Sequence, residues 1–288
     1  MVNVAILGDG LLGMTLADAL PSATVLRHAD IEVTNRESVK RALDGYDVAI
    51  NTVALHKLPA CENDPMLARL VNADGARYVA EAVPTVYVST DYVFNDGGPH
   101  DESLPGQEPR SAYGRSKLGG EMATLEHGGI VVRVAGLYGR YRSHKGPSFP
   151  DAVTTGFDKM RLPNDQRFSP TYADDAAERI ARLAREFAAW HHESERPEGI
   201  YHAANAGSTT WHEFAENILE VTRHPRKVEG YHARDAIRPT NSVLRSTRLP
   251  PLRHWRLALE EWATWRTVEL RDKRVSPLRP EVPWTPAR

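Results

Sequence analysis

A glycine-rich turn between an apolar strand and a helix limits the folds open to this chain more than any other feature. Val4–Leu7 is a continuous apolar run, the hexapeptide GDGLLG occupies Gly8–Gly13, and residues 11–20 place apolar side chains at helical spacing. A turn of this kind brings backbone N–H groups to a helix N-terminus, where they can bind a pyrophosphate. The sequence therefore predicts a dinucleotide site, and the alternative is a plain strand-to-helix turn.

Strand-like and helix-like stretches alternate through the first half of the chain. Short apolar runs predict strands near residues 23–27, 47–53, 85–89 and 130–134, and helical spacing predicts helices near 34–43, 64–82 and 112–125. Thr34 and Glu37 have the spacing of a capping box that opens the first of these helices. Because parallel strands need crossover connections, this alternation predicts an α/β fold with a Rossmann-type, doubly wound parallel sheet.

The second half is less regular and predicts a smaller C-terminal lobe, to which the family resemblance described below assigns substrate binding. We expect helices near residues 174–190, 210–222 and 257–270, a strand near 199–203 that extends the sheet, and an extended tail after Val275. Residues 1–147 and 169–207 are expected to form the NAD(P)-binding Rossmann domain. Residues 148–168 and 208–288 are expected to form the lobe, packed over the edge of the sheet.

Composition argues against several classes of protein. The 288 residues carry a formal net charge of -2, with 41% hydrophobic and 26% charged residues, so no basic footprint for nucleic acid or an anionic membrane is present. No apolar run approaches the roughly 20 residues that span a bilayer, and residues 2–7 are typical of a strand rather than of a signal peptide. A single cysteine, Cys61, and scattered histidines argue against a disulfide and a metal site. We expect a cytoplasmic protein with no nucleic-acid, membrane or metal partner.

The end of the second predicted strand bears on which dinucleotide binds. Sites for NAD commonly place an acidic residue there, which binds the ribose 2′-hydroxyl. This chain has Arg27 and His28 at that point, and a cationic pair favours a 2′-phosphate. We expect NADPH to be the preferred cofactor, with NADH as the alternative. The structural alternative is that both side chains are solvated loop residues.

Three polar residues at the end of the fourth strand and the start of the next helix predict carbonyl chemistry. Thr90 ends the strand, and Tyr113 and Lys117 are four residues apart, which places them on one helical face. We expect the ammonium to lower the phenol pKa so that the tyrosine exchanges a proton near neutral pH. Thr90 is expected to bind the same substrate oxygen. The structural alternative for the Tyr-Lys spacing is a pair on the helix surface.

Five longer motifs occur around and beyond these residues. They are VSTDYVF at residues 88–94, YGRSKLGGE at 113–121, VNADG at 71–75, DQRFSPTY at 165–172 and RPTNSVL at 238–244. In sequence and in order they resemble the dTDP-4-dehydrorhamnose reductase family of extended short-chain dehydrogenases, over about residues 2–265. The resemblance implies NAD(P)H-dependent reduction of the 4-keto group of a nucleotide-linked, dTDP-type 4-keto-6-deoxy sugar, with Tyr113 as the acid.

The expected site residues follow by position. The cofactor is expected to contact Gly8, Gly10, Leu11, Leu12, Arg27, His28, Glu32, Val33, Ala54, Tyr113 and Lys117. Catalysis is expected from Thr90, Tyr113 and Lys117, and substrate contacts from Asp91, Tyr92, Arg238 and Asn241. Ser242 falls in the same lobe segment. The expected partner is a small nucleotide sugar, and a homodimer is left open.

The chain departs from the family pattern at three places. Leu7 occupies the first position of the family's glycine motif, and a glycine appears at Gly8. Gly136 stands where many members have a tryptophan near the sugar, which leaves the identity of the sugar open. Arg142, His144 and Lys145 cluster in an unusual continuation. They would contact a diphosphate or form a solvated loop, and we favour the loop.

Two other functions are weighed against reduction. A sugar-nucleotide dehydratase or epimerase would share the fold and the Tyr-Lys pair, but dehydratases place an Asp-Glu pair after the threonine. Here Tyr92 follows Asp91. A non-catalytic, NADP-binding regulatory subunit of the same family is the other alternative. The presence of Thr90, Tyr113 and Lys117 favours turnover.

Overall fold

The computed structural model describes residues 2–141, 146–156, 160–189, 197–233 and 237–273. Its central strands are β1 Val4–Leu7, β2 Thr24–Leu26, β3 Val48–Asn51, β4 Thr85–Thr90, β5 Ile130–Val134 and β10 Gly199–His202. They form one sheet with the order β10-β5-β4-β3-β1-β2, in which every neighbouring pair is parallel. The predicted α/β fold with a doubly wound parallel sheet is confirmed.

Helices connect these strands and build most of the remaining structure. They are α1 Leu11–Ala19, α2 Arg36–Ala42, α3 Leu58–Asn63, α4 Pro65–Arg69, a π-helical turn Leu70–Asp74, α5 Gly75–Ala82, a 3₁₀ turn Asp91–Val93, α6 Ala112–Glu126, α7 Phe149–Thr155, α8 Ala173–Ala188, α9 Trp211–Val221 and α10 Trp255–Lys273. Short strands pair two by two outside the central sheet: β6 Leu137–Tyr138, β7 Met160–Pro163, β8 Arg167–Phe168, β9 Thr171–Tyr172, β11 Asn205–Ala206, β12 Thr209–Thr210, β13 Val228–Tyr231 and β14 Leu252–His254.

Both faces of the central sheet are covered, which explains why its strands are almost continuously apolar. On one face Leu16 of α1 and Ile180 of α8 are fully buried against Ile6 and other strand residues. On the opposite face Val39 of α2 and Val79 of α5 pack against Leu7. After β5 the chain leaves the central sheet and forms α7 and short strands elsewhere. It then returns, because α8 packs on one face of the sheet and β10 pairs with β5.

A second apolar core lies in the C-terminal part of the described chain. It is rich in aromatic side chains: Trp255, Trp262 and Phe214 are almost fully buried there, together with Tyr138 from β6. The Trp262 indole N–H donates to the carbonyl of Gly139 at 3.2 Å, so this core is bonded to the segment that continues from β5. The division into two domains at the predicted boundaries stays a prediction.

Two predicted helices differ from the structure. Asn35, not Thr34, caps α2, because its side chain accepts from the Ser38 N–H at 3.0 Å, while the Thr34 hydroxyl donates to Glu32. The single helix predicted over residues 64–82 is three segments, α4, the π-helical turn and α5. Trp190 and the tail after Val275 lie outside the described residues. Among the helices of the described ranges, none combines the length and the apolar character needed to cross a membrane.

Candidate active site

The turn between β1 and α1 has a conformation that its glycines permit. Gly8 has φ +98°, in the left-handed region, and its N–H donates to the carbonyl of Leu26 at 2.9 Å. A Cβ on Gly13 would lie 1.9 Å from the Gly8 carbonyl oxygen, so this glycine lets α1 pack directly on the turn. At Gly10, the first residue before α1, a Cβ would meet no atom within 4 Å. The turn therefore leaves open space at the helix N-terminus.

The turn lies where the strand order reverses. Strand β1 pairs with β2 on one side and with β3 on the other, and ligands of open α/β sheets bind at this switch point beyond the carboxyl ends of the strands. Thr52 follows β3 and its hydroxyl donates to the Leu7 carbonyl at 2.6 Å. Ala54 comes two residues later on the same edge. Leu11 is half-buried, whereas Leu12 is buried in the core under the turn.

Charged side chains surround the end of β2. Arg27 Nε lies 3.7 Å from Asp9 Oδ2 of the glycine-rich turn, and His28 Nε2 lies 3.8 Å from Glu32 Oε2. Arg27 and His28 are largely exposed, so either can reach a ligand. Glu32 accepts two hydrogen bonds from Thr34, and these hold the pKa of its carboxyl below the usual value.

Val33, expected beside the adenine, is buried against the core of the sheet's second face. Its backbone is close to the start of α5, since a Cβ on Gly75 would lie 3.1 Å from the Val33 carbonyl oxygen. Contacts of Glu32 and Val33 with an adenine stay a prediction.

Thr90 and Tyr113 are brought together at the end of β4. The α6 helix begins at Ala112, capped by Ser111, whose hydroxyl accepts from the Gly114 N–H at 2.9 Å. This places Tyr113 in the first turn, close enough to Thr90 for the threonine side chain to influence the pKa of the phenol. The Tyr92 ring packs edge-on against Tyr113 at 6.0 Å between centroids.

The phenol of Tyr113 differs from the sequence-based expectation. Burial raises its pKa above the usual value of 10, while the Thr90 side chain only partly opposes this effect. The expected lowering of the phenol pKa by Lys117 is therefore wrong, because desolvation is the largest effect and the opposing contribution comes from Thr90. The tyrosine keeps its proton at neutral pH.

Lys117 is buried in the protein interior and is not a surface residue. Its Nζ donates to the carbonyl of Val88 at 2.7 Å and lies 3.9 Å from the centre of the Tyr87 ring. Burial lowers the pKa of this amine to about 7, a shift that the Glu121 carboxylate only partly opposes. The ammonium therefore changes charge within the physiological pH range.

A hydrogen-bonded network beneath Lys117 was not identified from the sequence. The Tyr87 hydroxyl donates to the backbone carbonyl of Asn72 at 2.8 Å, and the Asn72 amide donates to Leu55 and to Ser116, both at 2.9 Å. A Cβ on Gly120 would lie 2.3 Å from the Tyr87 hydroxyl, so α6 approaches this network only through a glycine. The VNADG motif, which contains Asn72 within the π-helical turn, was the available signal.

Asp91 connects Thr90 to the C-terminal part of the chain. Its carboxylate accepts from the Thr90 hydroxyl at 3.1 Å and from the Ser242 hydroxyl at 2.5 Å. Burial raises the Asp91 pKa to about 6, against the effect of these hydrogen bonds. With 3% of its surface exposed, Asp91 links the end of β4 to the RPTNSVL segment. A contact between its carboxylate and substrate stays a prediction.

The other residues expected to bind substrate lie in or beside the same segment. The Asn241 amide donates to the Gly98 carbonyl at 2.8 Å, and the Asn241 backbone carbonyl accepts from the Gly98 N–H at 3.3 Å. Asn241 therefore holds the loop after β4 in place through two hydrogen bonds. Arg238 is half-buried. The cluster of Arg142, His144 and Lys145 lies outside the described residues.

An aromatic ring covers the glycine that replaces the family tryptophan. Gly136 has φ +49°, and a Cβ there would lie 2.3 Å from the ring of Phe168. Phe168 in turn stacks on Trp211, with centroids 4.0 Å apart. A larger residue at Gly136 would therefore displace Phe168.

The residues present fit a dinucleotide. The open space at Gly10 and the unobstructed N-terminus of α1 suit a pyrophosphate, and the exposed Arg27 suits a phosphate on the ribose. At the same edge of the sheet, Thr90 and Tyr113 offer hydroxyl groups to a carbonyl oxygen. Within the described residues, no cluster of three His, Cys, Asp or Glu side chains could hold a metal ion.

Comparisons with known proteins agree with this geometry. The family described as "RmlD substrate binding domain" matches residues 2–267. A dTDP-4-dehydrorhamnose reductase of Streptomyces griseus is 35% identical over 88% of this chain and 90% of its own length. A probable dTDP-4,6-dihydroxy-2-methyloxan-3-one 4-ketoreductase of Streptomyces antibioticus is 34% identical over 88% of this chain and 91% of its own. The crystal structure of a Bacillus anthracis dTDP-4-dehydrorhamnose reductase in complex with NADP superposes with a TM-score of 0.81, at 27% identity, over 92% of this chain and 99% of that one.

Proposed function

Because the chain belongs to the dTDP-4-dehydrorhamnose reductase family, we propose that it uses NADPH to reduce the 4-keto group of a dTDP-linked 4-keto-6-deoxy sugar. The observation that carries this function is the placement of Thr90 at the end of β4, Tyr113 in the first turn of α6 and the buried Lys117 one turn later. Hydroxyl groups in this position can bind and protonate a carbonyl oxygen. The relatives named as reductases support the same reaction.

Tyr113 acts as the general acid. Its raised pKa keeps the phenol protonated at neutral pH, which is the state needed to donate a proton to a carbonyl oxygen that is gaining negative charge. Thr90 holds the phenol in place and binds the same oxygen. Lys117 would bind the ribose beside the nicotinamide. When bound, the nicotinamide supplies the hydride for the carbonyl carbon.

The cofactor and substrate contacts expected from the sequence are part of the proposal. The β1–α1 turn, through Gly8 and Gly10, binds the pyrophosphate, and Arg27 binds the 2′-phosphate. Tyr92, whose ring packs against Tyr113, contacts the sugar. Arg238 and Asn241 bind substrate from the C-terminal lobe.

The test is oxidation of NADPH, followed by its absorbance, with a panel of 4-keto-6-deoxy sugar nucleotides. Tyr113→Phe should lower turnover by about 100-fold or more, the usual share of a general acid, and leave NADPH binding intact. Thr90→Val should be milder, because it removes the hydrogen bonds of the Thr90 hydroxyl, including the one to Asp91, but no transferred proton. Lys117→Met should lower both turnover and NADPH affinity.

One result would favour the regulatory alternative. Wild-type protein that binds NADPH but oxidises none of it with any of these sugars would contradict catalysis. In that case Tyr113→Phe should also be silent in assays of a partner enzyme.

Assembly and location are further parts of the proposal. We propose that the protein is cytoplasmic. We also propose a homodimer, because Met66 and Leu70 near α4 and Met122 on the adjoining α6 are exposed apolar side chains that a second copy would cover. Light scattering should then give twice the 32.1 kDa of one chain. Met122→Glu should shift the mass toward one chain, and a wild-type mass of one chain would contradict the dimer.

A further inference from the structure

The end of β2 and the glycine-rich turn bring two opposite charges together. Arg27 Nε lies 3.7 Å from Asp9 Oδ2, with 65% and 30% of the two side chains exposed. Backbone hydrogen bonds set the positions of both residues: the Arg27 N–H donates to Asp30 Oδ2 at 2.8 Å, and the Gly8 N–H donates to the Leu26 carbonyl at 2.9 Å. Asp9 therefore faces Arg27 because the turn and the strand end are bonded to each other.

This pairing matters because of what each group can bind. A guanidinium binds phosphate oxygens strongly, so Arg27 suits the 2′-phosphate of NADPH. A carboxylate near the same ribose accepts a hydrogen bond from the 2′-hydroxyl of NADH, which is what the acidic residue at the end of the second strand does in many NAD sites. In this chain the turn supplies a carboxylate at Asp9, next to the arginine that occupies that strand position.

Neighbouring carboxylates have other partners. Glu32 accepts from Thr34 and lies 3.8 Å from His28, and Asp30 accepts from the Arg27 backbone. Asp9 is thus the carboxylate that the structure pairs with the Arg27 guanidinium. A phosphate bound by Arg27 would either displace the Asp9 carboxylate from the guanidinium or lie close to that carboxylate, which carries the same sign of charge.

We propose that Asp9 sets the preference between the two dinucleotides, by competing with the 2′-phosphate for Arg27 and by accepting from the 2′-hydroxyl of NADH. The inference rests on the proposed function, since it assumes that the dinucleotide binds at this turn. It extends that function by assigning selectivity to a residue of the turn.

The test measures dissociation constants for NADPH and NADH by calorimetry, without substrate. Asp9→Asn should tighten NADPH binding by about three- to tenfold at low salt, since a nearby like charge has been removed, and should weaken NADH binding. The gain should shrink as salt is raised, because exposed charges are screened. The substitution should leave the fold intact, since exposed ion pairs contribute little to stability; far-UV circular dichroism checks this.

Two further variants make the result specific. Asp44→Asn removes an exposed carboxylate in the loop after α2 and should leave both dissociation constants unchanged, which controls for net charge. In an Arg27→Gln background, Asp9→Asn should give a smaller gain for NADPH, because the competition for Arg27 has been removed.

Two outcomes would overturn the inference. If wild-type protein binds NADPH but Asp9→Asn leaves the ratio of the two constants within twofold, or weakens NADPH, Asp9 does not set the preference and the proposed function stands. If wild-type protein binds neither dinucleotide, the proposed function and this inference fail together.

Discussion

Lys117 donates its one described hydrogen bond to the Val88 carbonyl inside the protein, and its pKa is lowered from 10.5 to about 7 by burial. The pKa of Tyr113 is shifted upward for the same reason, since burial disfavours the charged, ionised form of the phenol. At the scale of single residues, desolvation therefore determines both protonation states at the site. The spacing of four residues predicts that the two side chains lie on one face, but not how deeply they are buried.

The Lys117 pKa leads to a prediction about stability. Between about pH 7 and 10.5 the unfolded chain binds a proton at Lys117 that the folded protein has released. Stability from this residue therefore rises with pH across that window. One pKa unit corresponds to about 1.4 kcal/mol. Between pH 7 and 10.5, the free energy of unfolding of wild type should therefore rise relative to that of Lys117→Met by at most roughly 5 kcal/mol. Urea unfolding of both proteins from pH 7 to 10 measures it, and a difference that does not change with pH would contradict the low pKa.

Two glycines of the β1–α1 turn should respond in opposite ways to substitution. Gly13→Ala places a Cβ 1.9 Å from the Gly8 carbonyl, so we expect a loss of at least about 1 to 3 kcal/mol of stability from overpacking. Gly10→Val meets no protein atom within 4 Å of its Cβ, so the fold should survive while NADPH binding is lost. Thermal unfolding and NADPH titration of both variants measure this. A Gly10→Val protein with wild-type NADPH affinity would show that the pyrophosphate binds elsewhere.

At the scale of elements, the carboxyl end of β4 is joined to the RPTNSVL segment through buried hydrogen bonds. Asp91 accepts from Ser242, 151 positions away in the sequence, and the Asn241 amide fastens Gly98. A buried carboxylate held by a hydroxyl is stabilised more when ionised than when protonated. The RPTNSVL segment therefore positions the Asp91 carboxyl group and, through Ser242, favours its ionised form.

Ser242→Ala tests this connection. Loss of a hydrogen bond to a charged group costs about 1.5 to 3 kcal/mol, and the cost should be larger at pH 7.5 than at pH 5, because the Asp91 pKa is about 6. Ser103→Ala is the matched control, since Ser103 donates to the exposed Asp101, whose pKa is lowered below its usual value. We expect a small and pH-independent change there. Equal losses at both pH values in Ser242→Ala would contradict an ionised, Ser242-bound Asp91.

The sequence predicts those elements whose signals are local. Short windows of sequence contain the glycine-rich turn, the alternation of strands and helices, and the Tyr113–Lys117 spacing. These local patterns are sufficient to predict a parallel sheet with helices on both faces. The bond from Asp91 to Ser242 joins residues far apart in sequence, so no periodicity reveals it. The helix predicted over residues 64–82 is divided at the π-helical turn that contains Asn72, whose buried amide donates to Leu55 and Ser116. Its partners are known only once the fold is known.

At the scale of the whole molecule, the chain has two apolar cores that share bonded segments. The four tryptophans within the described ranges, Trp211, Trp255, Trp262 and Trp265, all belong to or pack against the C-terminal core. Fluorescence from these four tryptophans therefore reports on that core, whereas far-UV circular dichroism reports on all helices and strands; Trp190 and Trp284 lie outside the described residues. The two signals can be compared during unfolding.

We expect both signals to change together in urea. Trp262 is bonded to Gly139, and Ser242 to Asp91, so one core cannot separate from the other without breaking buried hydrogen bonds. Coincident transitions are the standard sign of one cooperative unit. Added NADPH should raise both midpoints equally, since it binds the folded state. A fluorescence transition at clearly lower urea than the dichroism transition would show that the lobe unfolds alone.

The late return of the chain to its central sheet has a consequence for synthesis on the ribosome. Helix α8 covers one face of the sheet and β10 pairs with β5, yet both follow residue 172 in the sequence. At about 5–20 residues per second, residue 202 is added roughly 10–40 s after initiation. Until then the nascent chain contains Thr90, Tyr113 and Lys117 but exposes an apolar sheet face and an unpaired strand edge. We expect such intermediates to be protected by chaperones, and to be the stage at which this protein is most prone to aggregate.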